Sequence, residues 1–182
     1  MKKAVVFLAN GFEEIEALSI IDILRRGGVG VTTLSISNNY IAVGAHKVKV
    51  EADELFDDFI FDGIDMLVLP GGMPGASNLN EHQGVRRIVM DFAAEGKEIA
   101  AICAAPMVFG ELGLLQGKNA TCYPSFEPTL KGANVTSENV VVDGNITTGK
   151  GPGFAFDFAL ALVEKLMGEE VRKEVEAGML LA

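Results

Sequence analysis

Along the chain, short wholly apolar runs alternate with longer stretches whose apolar residues recur every three or four positions. This is the pattern of buried strands followed by amphipathic helices. Residues 3–9 (KAVVFLA) are apolar on both faces and predict a first strand buried on both sides. Asn10-Gly11 marks a turn. A helix then opens at Glu13 and runs to about Arg26, where the basic pair Arg25-Arg26 and Gly27-Gly28 close it. Residues 29–36 alternate and are rich in β-branched side chains, which predicts the second strand. Residues 40–43 and 48–50 read as a small hairpin around the turn 44–47, outside the strand–helix rhythm. Residues 65–69 are another buried strand, 81–95 an amphipathic helix, and 98–102 a further strand that runs directly into Cys103. Helical spacing resumes at Pro106 and continues to Leu112. Residues 119–123 form a short strand, and 140–142 pairs with 146–148 around Asp143-Gly144-Asn145. The most apolar helix, 154–167, and an amphipathic one, 169–177, end the chain. The alternation predicts one domain over residues 1–182. Its class is α/β, a doubly wound and mostly parallel sheet with helices on both faces and a small β-hairpin added.

Composition narrows the function classes. The 182 residues are 49% hydrophobic, which excludes a disordered chain, and carry a net charge of -10. That charge excludes non-specific nucleic-acid binding and attachment to an anionic membrane surface. No apolar stretch approaches the ~18 residues of a spanning helix, and no basic start precedes a long apolar run, so the expected compartment is the cytoplasm. Two cysteines do not make a disulfide scaffold, and two distant histidines give no zinc pattern, so no metal is expected. The run 149–153 (GKGPG) is neither a Walker loop nor Gly-x-Gly-x-x-Gly, which leaves no sign of a cofactor. Lys150 in that turn is a candidate anion contact. His46, in the hairpin turn, reads as a solvated polar residue.

Candidate chemistry concentrates at strand ends. Cys103 lies where the strand 98–102 turns into a helix, the position of a nucleophile elbow. The new helix's free N–H groups and positive dipole end would favour the thiolate and lower the thiol pKa. The alternative is a small buried core residue. Glu16 shares a helix face with Ile20 and Leu24, so it points inward, where a carboxyl tends to keep its proton. The alternative is a rim residue on a wide apolar stripe. Glu13 and Glu14 fit an acidic first turn that complements the helix dipole. Gly71-Gly72 end the strand 65–69 and let the backbone approach a ligand. In an open parallel sheet, the strand carboxyl ends are where sites form, so this turn and Cys103 could face each other.

Four segments, 11–16 (GFEEIE), 69–72 (LPGG), 101–106 (AICAAP) and 151–153 (GPG), together resemble the ThiJ/PfpI family. The likeness covers essentially the whole chain and is greatest to the branch of the Parkinson-disease deglycase protein and bacterial YajL. It implies a flavodoxin-like fold and a homodimer, with the helix 13–26 and the hairpin near His46 as its interface. It implies a reactive, strained Cys103 to which Glu16 donates a hydrogen bond, and oxyanion donors at Gly72 and Ala104. Gly71, Tyr123, Gly151 and Pro152 complete the implied pocket. Protease-like members carry His after the cysteine; here that residue is Ala104, which argues against a peptidase. Glyoxalase members often carry His where this chain has Tyr123, a poor base at neutral pH, so proton transfer falls to Glu16 or a water. Three functional readings follow. The first is slow glyoxalase or deglycase chemistry on a small aldehyde or dicarbonyl, or on glycated adducts. The second is an oxidation-sensing cysteine protein or redox-regulated chaperone without turnover. The third is a binding or scaffold protein with an inert cysteine.

Overall fold

A computed structural model describes residues 1–181. In chain order the elements are β1 (Lys3–Leu8), α1 (Glu14–Arg26), β2 (Gly30–Ser35), β3 (Ile41–Val43), β4 (Lys49–Glu51), β5 (Glu54–Leu55), β6 (Met66–Leu69), α2 (Gly75–Glu81), α3 (Gln83–Ala94), β7 (Glu98–Ile102) and α4 (Pro106–Glu111). Then come β8 (Asn119–Ala120), β9 (Asn134–Val135), β10 (Val140–Asp143), β11 (Ile146–Gly149), α5 (Ala155–Met167) and α6 (Glu169–Gly178). Seven strands form the central sheet in the order β10-β11-β7-β6-β1-β2-β5, all parallel except the β10–β11 hairpin. β3 and β4 pair separately as the expected small hairpin.

Side-chain alternation along the strands sorts the core into two layers. Val5, Phe7, Leu67, Leu69 and Ile99 pack with α2, α3 and α4 on one face. Ala4, Val6, Met66, Val68 and Ile102 pack with α1, α5 and α6 on the other. A parallel sheet covered on both faces needs apolar residues at every position of its central strands, which is what residues 3–9 and 66–69 supply. The helix after β1 lies on one face and the helices after β6 and β7 on the other. The sheet therefore reverses its winding between β1 and β6, and a crevice opens there at the strand carboxyl ends.

Two expectations need correction. The helix expected over 81–95 begins at Gln83, because His82 takes an extended backbone (φ -74°, ψ 107°) that ends a preceding helix, α2. Its Nδ1 accepts the Val85 N–H at 3.1 Å and caps α3. α2 itself was hidden by a loop-like composition, Gly-Ala-Ser-Asn, and is held by the buried Ala76 and Leu79. The strand expected over 119–123 pairs only at Asn119–Ala120; beyond that, the backbone bonds to side chains and to the Cys103 carbonyl instead. Removing the cap by His82→Ala is expected to lower stability by about 1 kcal/mol, measured by urea unfolding, with His82→Asn restoring most of it.

Candidate active site

The carboxyl ends of β1, β6, β7 and β11 converge on one sulfur. Cys103 follows β7 with φ 65°, a left-handed conformation that side chains other than glycine rarely adopt. Two backbone bonds hold it there: its N–H donates to the Gly149 carbonyl at 2.9 Å, and its carbonyl accepts the Tyr123 N–H at 2.8 Å. Strain of this kind costs about 1–3 kcal/mol and persists only where the surroundings over-determine it. The residue is buried, at 8% exposure.

Glu16 reaches the same point from α1 and is fully buried. Glu13 caps α1 by accepting the Glu16 N–H at 2.7 Å, and the Glu13 N–H donates to the Gly71 carbonyl at 2.9 Å. Glu16 Oε2 accepts the Gly71 N–H at 2.8 Å, while Oε1 is buried without a hydrogen-bond partner and Cys103 lies beside the carboxyl. Gly71 has no room for a side chain: a Cβ there would lie 2.6 Å from Cys103 Cβ and 2.8 Å from Glu16 Oε2. Gly72, at φ 88°, and Ala104 direct their backbone N–H groups at the sulfur.

Burial pushes the Glu16 carboxyl up to about 7, with the Glu13 charge adding and the Gly71 and Cys103 bonds opposing. Burial also pushes the Cys103 thiol up, to about 12, reinforced by the facing Glu16 charge and hydrogen bond; the Gly72 and Ala104 N–H groups pull the other way. The expected lowering of the thiol pKa by the helix terminus is therefore corrected. Burial outweighs the Gly72 and Ala104 N–H groups that would favour the thiolate. Two of the causes that raise the thiol require a charged Glu16. Ionisation of the two groups is thus coupled, since a charged Glu16 opposes a thiolate beside it.

Of the residues expected in the pocket, Glu16, Gly71, Gly72, Cys103 and Ala104 come together. Tyr123, Gly151 and Pro152 line an adjoining shallow pocket of about 280 Å³, with Tyr123 half exposed beside Gly151. Lys150 also borders it, but its Nζ donates to the Ser137 carbonyl at 3.1 Å. A larger groove of about 630 Å³ beside Glu138, Glu164 and Arg172 holds no cysteine, histidine or buried carboxylate, so size does not mark the site. His46 is exposed, as expected, but Glu14 departs from expectation. Glu14 is buried rather than a solvated first-turn residue, and the His46 ring bonds to it at 2.8 Å. Among the described residues, Glu13, Glu14 and His46 bring ligand-type atoms within 4.8 Å of one another. Hydrogen bonds already engage Glu13 Oε2 and both Glu14 oxygens. The sequence signal for this contact was the acidic pair at 13–14 beside a lone His in a turn, too weak to pair them across thirty residues.

Comparison with known proteins places this geometry. A model of the DJ-1/PfpI family matches residues 2–165. Protein DJ-1 homolog B of Arabidopsis thaliana is 40% identical over 99% of this chain, which spans 42% of the length of that plant protein. The glutathione-independent glyoxalase DJR-1.2 of Caenorhabditis elegans is 33% identical over 93% of this chain and 91% of its own. The solved structure of oxidized Toxoplasma gondii DJ-1 superposes with a TM-score of 0.95 at 38% identity, covering 99% of this chain and 98% of that one. No helix among the described residues is long and apolar enough to cross a membrane.

Proposed function

The chain belongs to the DJ-1/PfpI family, which includes a glutathione-independent glyoxalase. From that premise we propose that it converts small dicarbonyls, or their early adducts on amines, to hydroxy acids through Cys103 and Glu16, without a cofactor. The observation that carries this reading is the fully buried Glu16 carboxyl, pushed up to about 7 and with one oxygen free for the Cys103 thiol. A group that titrates near the working pH is best suited to both accept and return a proton.

With methylglyoxal, Cys103 Sγ forms a bond to the aldehyde carbon as its proton passes to Glu16. The developing oxyanion sits against the Gly72 and Ala104 N–H groups and is then protonated, giving a hemithioacetal. Glu16, ionised again, removes the proton from that carbon as the ketone oxygen is protonated, giving an enediol; loss of the proton from the first oxygen and return of Glu16's proton to the neighbouring carbon give a lactoyl thioester. The aldehyde carbon is oxidised and its neighbour reduced within one molecule, so no outside oxidant is required. Water cleaves the thioester, releasing lactate and the thiol. Tyr123 takes no proton in this scheme. The reaction is slow, because Glu16 must serve in every proton transfer.

The active form is a homodimer. Ile15 and Leu18 expose apolar side chains on α1, beside the β3–β4 hairpin, and supply the contact face. The test is lactate release from methylglyoxal in the absence of glutathione, with the solution mass measured in parallel. Lactate and a dimeric mass are expected; a protein that releases no lactate overturns the enzymatic reading. A second reading is favoured by the same N–H groups around Sγ, which would accept the oxygens of a cysteine sulfinate. In that case mild peroxide adds two oxygens to Cys103 before it touches Cys122.

A further inference from the structure

The β3–β4 hairpin looked like an appendage in the sequence, yet its turn grips the segment that carries the candidate acid. The Gly11 N–H donates to the Val43 carbonyl at 2.7 Å, and Asn10 Oδ1 accepts the Val43 N–H at 2.9 Å. The Ala45 N–H donates to the Phe12 carbonyl at 2.8 Å. Glu14 then enters the turn itself. Its Oε1 accepts the His46 N–H at 2.6 Å and lies 3.4 Å from the Val48 nitrogen, and its Oε2 meets His46 Nδ1 at 2.8 Å. Gly44 makes room for this carboxylate, because any Cβ there would overlap it. On the opposite side, the same segment rests on the turn after β6. Glu13 N–H bonds the Gly71 carbonyl, Gly75 N–H bonds the Gly11 carbonyl at 3.2 Å, and Asn78 Nδ2 bonds the Asn10 carbonyl at 2.8 Å. Residues 10–14 are thus clamped between the hairpin turn and the glycine turn that faces Cys103.

We propose that Glu14 is the positioning residue of the site. Clasped by the 44–48 turn, it holds the first turn of α1 so that Glu16 faces the Cys103 sulfur. A buried carboxylate with these bonds defines the helix start more tightly than an exposed first-turn acid, whose hold falls away in solvent. Burial opposes its charge, but the His46 ring and the His46 and Val48 N–H groups keep Glu14 below the usual carboxylate range, so it stays ionised. The charged groups facing the His46 ring are Glu14 and, behind it, Glu13; the Glu14 bond and charge raise the His46 pKa. A raised pKa means that the protonated ring strengthens the clasp. That part of the hold is complete below the ordinary histidine value of ~6.5 and is lost as pH rises through the raised one.

This inference rests on the Cys103–Glu16 pairing, and its test separates the two. The rate of Cys103 alkylation by iodoacetamide is measured against pH in wild type, Glu14→Ala, Glu14→Gln, Glu16→Gln and the double variant Glu14→Ala/Glu16→Gln. Glu14→Ala is expected to slow alkylation at neutral pH by about tenfold or more and to move its pH profile toward that of Glu16→Gln. Glu14→Gln, which keeps the shape of the clasp, restores most of the rate. The double variant should be no slower than Glu16→Gln alone, since both changes act on one group. A Glu14→Ala protein with the wild-type profile, or a double variant showing the product of the two effects, overturns the proposal. An unchanged profile in Glu16→Gln overturns instead the pairing on which it rests. If Glu14→Ala does not fold, His46→Ala removes the ring bond alone and is expected to shift the profile less but in the same direction; no shift overturns the proposal.

Discussion

Cys103→Ala is expected to lower lactate formation from methylglyoxal by about 10³-fold or more while leaving the fold intact. The sulfur is the only nucleophile among Gly71, Gly72, Ala104 and Glu16, so nothing near it can take over carbon–sulfur bond formation. The fold is indifferent to the change. Alanine keeps the Cβ that already occupies this left-handed position, and the Gly149 and Tyr123 backbone bonds that hold it do not involve the side chain. The measurement is lactate release at saturating methylglyoxal, together with the unfolding midpoint. Lactate release that survives the substitution would mean that Cys103 takes no part in the chemistry.

Glu16→Gln is expected to change activity and stability in opposite directions. Activity should fall by about 10²-fold or more, because the amide cannot carry the proton from the thiol. Stability should rise, and the sign follows from the carboxyl's behaviour. The folded state holds the Glu16 proton up to about 7, against an ordinary value of 4.5. Ionising this group therefore disfavours folding. The penalty is absent below pH ~4.5, grows as pH rises through the folded value, and is complete above it, at about 3 kcal/mol. Glutamine can still accept the Gly71 N–H but never has to be charged, so the variant avoids the penalty. Urea unfolding at pH 5 and pH 8 reads this directly: similar stabilities at the lower pH, and a more stable variant at the higher one. A stability difference that is the same at both pH values would show that Glu16 titrates normally and is no trapped acid. The trade is one that reactive sites often make, since a group kept in an unfavourable state for chemistry weakens the fold around it.

The pattern of the chain alone determined the layered α/β architecture, because local periodicity is enough to say which residues must be buried. Residues 3–9 and 66–69 have no polar face, so they can only be central strands between two helical layers. Glu16 was legible for the same reason: its four-residue spacing from Ile20 and Leu24 turns it to the inner face of α1, where it is fully buried. Cys103 was legible from the abrupt change between a strand-like run and Pro106. Tertiary structure decided what periodicity does not encode, namely which groups meet across long stretches of chain. Whether the thiol pKa rises or falls depends on a carboxyl 87 residues earlier in the chain and on how much water the fold removes, and no local pattern reports either. The start of α3 after His82 depends on a ring nitrogen accepting a backbone N–H, which apolar spacing does not report. Glu14 looked like an ordinary helix-dipole residue because its pattern is that of one. Only the closure of the β3–β4 hairpin against α1 brings His46 to it, and that contact turns a solvated acid into a buried anchor.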